Sequence, residues 1–559
     1  MISNPIDIAN TLNEHFIRKG PKLASKIKAP YFSHRKYLKD RNPHTMVFSR
    51  ILESEVISIV FELELGKALG HDGISPQILK WCIPHIAHLI TKIFNECVNK
   101  GVYPNTLKLA RVTALHKGGE KNNSDNFRPI SILTQFNKIF EKLIHRRLLS
   151  FLKKYNILSK QQFGFLKKHS TSHSITCLYE KLIDNLENEL DSAVLFVDLK
   201  AAFDTVDSEI LLDKLNHYGI RDKTLKLLTS YLQDRKQYIK CGSIESTILT
   251  VLCGVPQGSV LGPLLFIIFI NDIFNCSSFD PVMFADDAAL VISARTLNKL
   301  QKSINTESKA FFNWLIANKL TLNYKKTKFM ITTNKNYRVK YKNKFRLNIN
   351  KNNIKQVDEF KYLGVIFDNK LSWKNHIEYL QTKLSIASGV IYKTGKYMPL
   401  NARMLVYNSL VDTYLRYGIM AWGTSAEYLR ERLQASQNRV LKSIMSPSTA
   451  LSDPSQHYNK LNVLNVSELH TNQVCNFIHS IYFGYNPPAF DSLLSTCPHN
   501  YSTRHAQNAY FSLSRPRTET GKRSMRYAGV KCWETIPIQL KEHSNPKHFK
   551  SALKHYLLS

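Results

Sequence analysis

An α+β fold is predicted, and three observations carry the prediction. Apolar residues recur at helical spacing through the first hundred positions, short β-rich runs alternate with helical stretches from about Val102 to Phe367, and a helical stripe resumes at Ile377. The chain has 559 residues, 43% of them hydrophobic and 11% aromatic, which excludes a disordered or collagen-like chain. At about 150 residues per domain the length corresponds to nearly four domains, or to one large multi-lobed machine.

Taken in order, residues 1–102 read as a helical extension, with the spacing clearest in Ile51 to Leu65 and Ile83 to Val98 and a turn at Gly70 to Gly73 between them. Within residues 103–367 the apolar runs Ala193 to Val197, Val282 to Ile292 and Tyr362 to Phe367 read as strands. Gly254 to Phe266 reads as a glycine-spaced turn feeding an apolar helix, the glycines permitting close approach of a backbone or base pair. Residues 368–450 are helical: Ile377, Leu380, Leu384, Ala387 and Ile391 step by three and four, a stripe that ordinary core packing accounts for. Residues 451–559 form a basic C-terminal region in which His499 to Lys531 holds seven Lys and Arg against Glu519 alone.

Lys plus Arg number 77 against 43 Asp plus Glu, a net charge of +34 that points to a polyanionic partner, nucleic acid ahead of an anionic membrane surface. No window reaches the roughly 18 uninterrupted apolar residues of a membrane span. The best run, Val260 to Ile270, is interrupted by Gly262 and Pro263, and Met1 to Pro5 lacks the layout of a signal peptide. The nine cysteines are scattered, without a CxxC pair or Cys/His knuckle, and read as reduced, intracellular packing residues.

Two features carry chemistry. Asp198 closes the apolar strand Ala193 to Val197, where an acid is either solvated at a sheet edge or a functional ligand. Asp286 and Asp287 stand between two apolar strands and read as the tip of a hairpin, where adjacent acids repel and call for cations. Strand alternation puts Phe284 and Asp286 on one face and Ala285 and Asp287 on the other. Direct metal bridging therefore falls to Asp198 and Asp286, with Asp287 a peripheral ligand or support. Mg²⁺ takes oxygen ligands while holding phosphate oxygens. Two such ions about 3.5–4 Å apart activate an attacking 3′-hydroxyl and stabilise leaving pyrophosphate, and three carboxylates from two strands would hold them.

The order Asp198 to Asp204, Gly254 to Gly258, then Phe284 to Asp287 resembles the palm motifs of reverse transcriptases. Fifty-nine residues separate Asp198 from Gln257 and twenty-nine separate Gln257 from Asp286. Lys117 to Gly119 with Asn126 to Leu133 resembles the fingers signature of that family. Gln162 to Phe165, Asn318 to Asn323 with Lys326 and Thr327, and Tyr362 to Val365 with Leu371 to Trp373, His376 and Ile377 continue the pattern. The set is similar to the non-LTR retrotransposon branch, in particular its jockey-like group. It covers residues 60–450 clearly, and extends more loosely through Tyr417, Gly418, Trp422, Gly423 and Trp533 to Pro537.

The resemblance implies a right-hand polymerase, with fingers and palm over residues 103–367 and a helical thumb over 368–450. It implies RNA-templated addition of deoxynucleotides to a primer 3′-hydroxyl with two Mg²⁺, Mn²⁺ serving as a substitute. Asp198, Asp286 and Asp287 become the catalytic metal ligands, and Lys117 and Arg128 grip the triphosphate. Phe203 becomes the steric gate against a ribose 2′-hydroxyl, Gln257 and Gly258 lie beneath template base and nucleotide, and Lys326 acts as a general acid on pyrophosphate. Tyr362, Leu363 and Gly364 form the primer grip. Read singly, the same cations are solvated surface charges and Phe203 is a core ring. The implied partners are an RNA template, a DNA primer or target and dNTPs, in the nucleus and with no membrane.

The tract Thr321 to Val357 holds eleven Lys and Arg and no acid, interleaved with Tyr324, Phe329, Tyr337, Tyr341 and Phe345. That pattern suits backbone tracking and base stacking, and equally a solvated face. Two positions depart from the family pattern: Leu166 follows Phe165 where many relatives carry Arg, and His71 replaces their Pro. The endonuclease that usually begins related proteins has no room before residue 60, and Asn4 to Phe16 resembles the segment that follows it. The target nick is therefore expected from a separate chain or a missing domain. Phe203 argues against an RNA-dependent RNA polymerase, which commonly carries Asp there. The lack of CxxC pairs argues against a group II intron maturase, and the lack of a spaced carboxylate set near the end argues against a retroviral enzyme with ribonuclease H. A catalytically inactive nucleic-acid-binding relic is the alternative of a different class.

Overall fold

The structure, a computed structural model, describes residues 4–27, 30–333, 345–445, 454–495 and 511–559. Its strands are β1 (Leu109–His116), β2 (Phe127–Ile132), β3 (Asp191–Val197), β4 (Lys236–Cys241), β5 (Ile244–Glu245), β6 (Leu249–Thr250), β7 (Asp280–Phe284), β8 (Asp287–Ala294), β9 (Lys328–Thr332), β10 (Leu347–Ile349), β11 (Asn352–Gln356), β12 (Glu359–Tyr362) and β13 (Val365–Asp368). The helices used below are α1 (Pro5–Ala24), α2 (Glu53–Phe61), α3 (Pro76–Lys100), α4 (Gln135–Lys154), α5 (Thr171–Glu187), α6 (Ser208–His217), α7 (Asp222–Leu232), α8 (Leu261–Phe269), α9 (Leu297–Ala317), α10 (Lys374–Thr394), α11 (Glu427–Ile444), α12 (Val466–Tyr482) and α13 (Pro546–Leu558). Two compact units are each assembled from separate stretches: residues 1–165, 197–279 and 306–326 make the first, and 166–196, 280–305 and 327–559 the second. No helix among the described residues is long and apolar enough to cross a membrane.

In the first unit a five-stranded sheet runs β2-β1-β4-β5 with β6 also on β4. Helix α1 lies on it, Ala9 and Phe16 packing with Val112 and Ile239. Buried Asn13 ties the helix down, donating to Ser246 Oγ at 3.1 Å and to the Thr247 carbonyl at 2.8 Å. The spacing read in Ile83 to Val98 becomes the buried face of α3, which starts at Pro76 under a Ser75 cap and stops at Gly101 in the left-handed region. Phe94 of α3 stacks on Phe140 of α4 at 4.4 Å. Glu141, fully buried on α4, accepts from the Tyr231 hydroxyl of α7 at 2.8 Å and from the Val260 amide at the start of α8 at 2.5 Å. One carboxylate thereby fixes two helices that frame the Gly254 to Gly258 turn.

The second unit holds a six-stranded sheet in the order β10-β11-β9-β3-β8-β7. Every residue of β3 is buried, as its apolar run predicts for a central strand. The run Tyr362 to Phe367 is not one strand but the hairpin β12–β13, reversing at Leu363 and Gly364, both at positive φ. Asp368 then accepts the amides of Lys370, Ser372 and Trp373 at 2.7–3.0 Å and launches α10. Ile377, Leu380, Leu384, Ala387 and Ile391 are its buried stripe. Gln381 and Ser388 bond across to Arg432 and Ser443 of α11.

One expectation about the basic tract is corrected here. Phe329 and Phe345 of the tract Thr321 to Val357 are core residues, because β9 lies inside the sheet with Phe329 to Thr332 all buried, and Phe345 packs beside Phe329 at 5.8 Å. They are not stacking platforms, and Tyr337 and Tyr341 lie outside the described residues. In the C-terminal stretch, residues 496–510 are likewise outside, while the rest docks on α5. Arg526 pairs with Asp184 at 3.0 Å, Arg517 and Thr518 bond Glu187, and the Met525 amide donates to buried Glu180 at 3.0 Å. Lys522 pairs with Glu519 at 2.5 Å.

Candidate active site

In the first unit, the segment Asp198 to Asp204 is laid against residues 321–323. The Asn323 amide donates to the Asp198 carbonyl at 2.8 Å, and the Asn323 side chain donates to Asp198 Oδ2 at 2.6 Å. Leu199 bridges to Leu322, and the Lys200 amide donates to the Thr321 carbonyl at 2.9 Å. A carboxylate accepting a short bond from a fixed amide loses rotational freedom, the condition for a preorganised ligand.

Five residues on, Phe203 is partly buried and lies flat on Phe266 of α8 at 4.3 Å, with Phe165 edge-on at 5.9 Å. Its carbonyl accepts from the Val255 amide at 3.0 Å, so the Gly254 to Gly258 turn rides directly on it. Gly254 has φ of +90°, and an added Cβ would meet Asp204 Cα and Phe203 O at 2.9 Å. On the other side the Gln257 carbonyl accepts from the Ser131 amide of β2 at 2.7 Å. Gly258, at φ +113°, passes so close to Ser131 O that a Cβ would sit 2.5 Å from it.

Lys117 and Arg128 stand on the exposed end of the β1–β2 hairpin, where the Lys117 amide donates to the Asn126 carbonyl at 2.8 Å. The Lys117 ammonium is held below the usual lysine range by partial desolvation and by the charges of Lys19, Arg128 and Lys326, with Asp204 opposing them. Arg128 and Lys326 are therefore each brought within electrostatic reach of Lys117, although Lys326 is some two hundred residues away in sequence. Lys19 of α1 was not visible as a member of this group. It pairs with Asp125 at 3.0 Å, and nothing in the local sequence of α1 distinguishes it from a surface lysine. Asn323 and Asp204 were likewise unassigned, though both lie inside stretches that the motif reading singled out.

In the second unit Asp286 occupies the turn of the β7–β8 hairpin and Asp287 opens β8, which neighbours β3 in the sheet. The alternation expected at this tip does not hold. Phe284 pairs directly across with Asp287, so these two share a face, while Ala285 and Asp286 form a two-residue turn. Ala285 at φ +57° breaks the extended conformation that alternation requires.

Tyr362 is buried beside this hairpin. Its hydroxyl donates to the Val282 carbonyl of β7 at 3.2 Å and bonds Ser174 Oγ of α5 at 3.0 Å. Burial first, and the nearby Asp287 charge among others, push its pKa up. Leu363 O accepts from the Tyr417 hydroxyl at 2.6 Å, and Gly364 passes against the Tyr417 ring. The β12–β13 turn is thus fastened to the strand that leads to Asp286.

Carboxylate oxygens alone make up the expected metal donor set, which suits Mg²⁺. Among the described residues no three His, Cys, Asp or Glu side chains form a ready-made metal cage. Mg²⁺ is commonly held by one or two carboxylates plus water and substrate phosphates, so the donor chemistry fits without one.

Comparison with known proteins adds to this geometry. The family described as reverse transcriptase (RNA-dependent DNA polymerase) matches residues 117–367. The chain is 29% identical over 408 residues to a probable RNA-directed DNA polymerase from transposon X-element of Drosophila melanogaster, covering 70% of this chain and 43% of that protein. It is 26% identical over 421 residues to the RNA-directed DNA polymerase from mobile element jockey of the same fly, covering 73% and 45%. A probable RNA-directed DNA polymerase from transposon BS, also of that fly, is 27% identical over 411 residues, covering 70% and 44%. The chain spans less than half the length of these relatives. A solved telomerase chain from Candida albicans aligns with a TM-score of 0.35 at 12% identity, over 68% of this chain and 71% of that one.

Proposed function

We propose, from a chain whose residues 117–367 belong to the reverse transcriptase family, that it is the RNA-directed DNA polymerase of a non-LTR retrotransposon of the jockey-like group. It extends a primer 3′-hydroxyl with deoxynucleotides on an RNA template.

The observation that best supports this reading is the crowding of Lys117 by Lys19, Arg128 and Lys326, opposed by Asp204. Like charges gathered at one place raise each other's energy until a polyanion sits among them, and a nucleoside triphosphate is such a polyanion. Lys117 and Arg128 hold the triphosphate, and Lys326 donates a proton to the departing pyrophosphate. Phe203, backed by Phe266, presents a wall to the sugar. Gln257 and Gly258, fixed to β2 through Ser131, form the floor under the nascent pair.

Asp198 and Asp286 would hold two Mg²⁺ ions with Asp287 in support, and Mn²⁺ could replace them. When bound, these ions supply charge stabilisation to the attacking and leaving oxygens. Tyr362, Leu363 and Gly364 position the primer end. Beside them Lys361 lies over the Tyr379 ring at 4.4 Å, and Lys383 stands near Tyr379 and Tyr414 at 5.5 and 5.9 Å, an alternation of cations and rings suited to strand tracking. On this reading residues 103–367 are fingers and palm, residues 368–450 the thumb, and the work is done in the nucleus.

Primer extension on a poly(rA)/oligo(dT) hybrid with Mg²⁺ tests the proposal, with dTTP and UTP offered in parallel. The expected result is extension with dTTP only, lost on chelation and reduced at least about a thousandfold by Asp286→Ala. A folded preparation that binds the hybrid and extends nothing would replace the polymerase with a nucleic-acid-binding relic.

A further inference from the structure

Asp204 has no part in the steps above, yet three segments of the first unit converge on it. Its backbone is hemmed in by the Gly254 to Gly258 turn: the Gly254 amide donates to Val206 O at 2.8 Å, and the Cys253 thiol donates to Asp204 O at 3.2 Å. Gly20 of α1 presses on the same carbonyl, so closely that a Cβ at position 20 would collide with it and with Cys253 Sγ. Only glycine lets a helix backbone approach another main chain to this distance. The Asp204 carboxylate lines a cavity with Phe16, Ile17, Ser131, Cys253 and Gln257. There the Gln257 side chain donates Nε2 to Asp204 Oδ1 at 2.5 Å.

We propose that Asp204 is a positioning residue for nucleotide addition: by accepting Nε2 of Gln257 it dictates which way round that amide stands, and so leaves Oε1 as the group Gln257 offers beneath the nascent pair. The inference rests on the polymerase reading of this site.

The chemistry allows little else. An ionised carboxylate only accepts, so it captures the NH₂ end of the amide and cannot pair with its oxygen. The Gln257 main-chain carbonyl is already taken by Ser131, which leaves the side chain as the variable part of the residue. Burial raises the Asp204 pKa, against the lowering effect of the Gln257 bond and of the charges of Lys19 and Lys117. α1, through Gly20, holds Asp204 from behind, which gives the N-terminal helix a share in the site.

Asp204→Asn tests this, because asparagine keeps the shape but can donate as well as accept, and so no longer selects one orientation of the Gln257 amide. In single-nucleotide extension on poly(rA)/oligo(dT), the expected result is a KM for dTTP raised about tenfold with kcat changed less than about threefold. The unfolding temperature should stay within about 2 °C of the parent. The double variant Asp204→Asn with Gln257→Leu should be no worse than Gln257→Leu alone, since both remove one interaction. An unchanged KM in Asp204→Asn, effects of the two variants that multiply, or a fall of more than about 5 °C in unfolding temperature would each overturn the positioning role. A parent chain that extends nothing overturns the polymerase reading, and this inference with it.

Discussion

Phe203 lies flat on Phe266, the ring centroids 4.3 Å apart and the planes 17° from parallel. Phe266 is fully buried in α8, so the Phe203 ring cannot retreat without disturbing that helix. If this ring is what meets the sugar, Phe203→Val should admit UTP. The preference for dTTP over UTP, read as a ratio of kcat/KM in parallel extensions, should fall at least about tenfold. Phe266→Leu, which only softens the support, should lower it less. Discrimination unchanged in Phe203→Val would return that ring to the core.

Gly258 separates collision from backbone strain. Gly258→Ala places a Cβ 2.5 Å from Ser131 O on a backbone at φ +113°. Gly242→Ala meets nothing within 4 Å, at φ +62°. Strain alone costs on the order of 1 kcal/mol, so Gly242→Ala should lower the unfolding temperature by about 2–4 °C. Gly258→Ala should fall further and lose nucleotide addition, because the Ser131 to Gln257 bond must open. Equal thermal shifts in the two variants would count against a close fit at Ser131.

The Tyr362 hydroxyl serves Ser174 and Val282 at once, both in buried surroundings. Tyr362→Phe keeps the ring against Phe196 and Phe367 but leaves the Val282 carbonyl without that donor. A loss of about 1–3 kcal/mol is expected, measurable by denaturant unfolding. Products of primer extension should also shorten, since the turn Leu363 to Gly364 is no longer tied to the strand leading to Asp286. Full-length products from Tyr362→Phe would separate the turn from primer handling.

Glu180 gives the chain a pH dependence. Burial raises its carboxyl from the ordinary 4.5 to about 7, against the lowering effect of the Met525 amide and Arg526. A carboxyl raised in the folded state binds its proton more tightly there than in the unfolded chain. Its contribution is complete below about pH 4.5 and is lost as the pH climbs through 7, at about 1.4 kcal/mol per pH unit between those values. Thermal unfolding should therefore weaken from pH 5 to pH 8, and Glu180→Gln should remove that part of the slope. Identical pH profiles for the two chains would mean that Glu180 titrates normally.

Much of this protein could be read from local pattern. The stripe Ile377 to Ile391, the buried strand β3 and the turn before α8 follow from periodicity and composition, because each element's apolar face is written within one short stretch. The order and spacing of Asp198, Gln257 and Asp286 carried the family on the same footing. Where a single residue's backbone departs from its element, local pattern misleads: the left-handed Ala285 moved Asp287 onto the face of Phe284.

By itself the sequence determined the main helical stripes and the buried strand β3, which residue types stand in which motif, and a charge balance that calls for a polyanion. Only the tertiary structure decided that Asp204 holds Gln257 from 53 positions away, that Lys19 joins Lys117, and that Arg526 is taken up by Asp184 across 342 positions. Periodicity records which face of an element is buried, but not against what. Partners distant in sequence are chosen by how the elements pack, and at Gly20 that choice depends on the absence of a side chain.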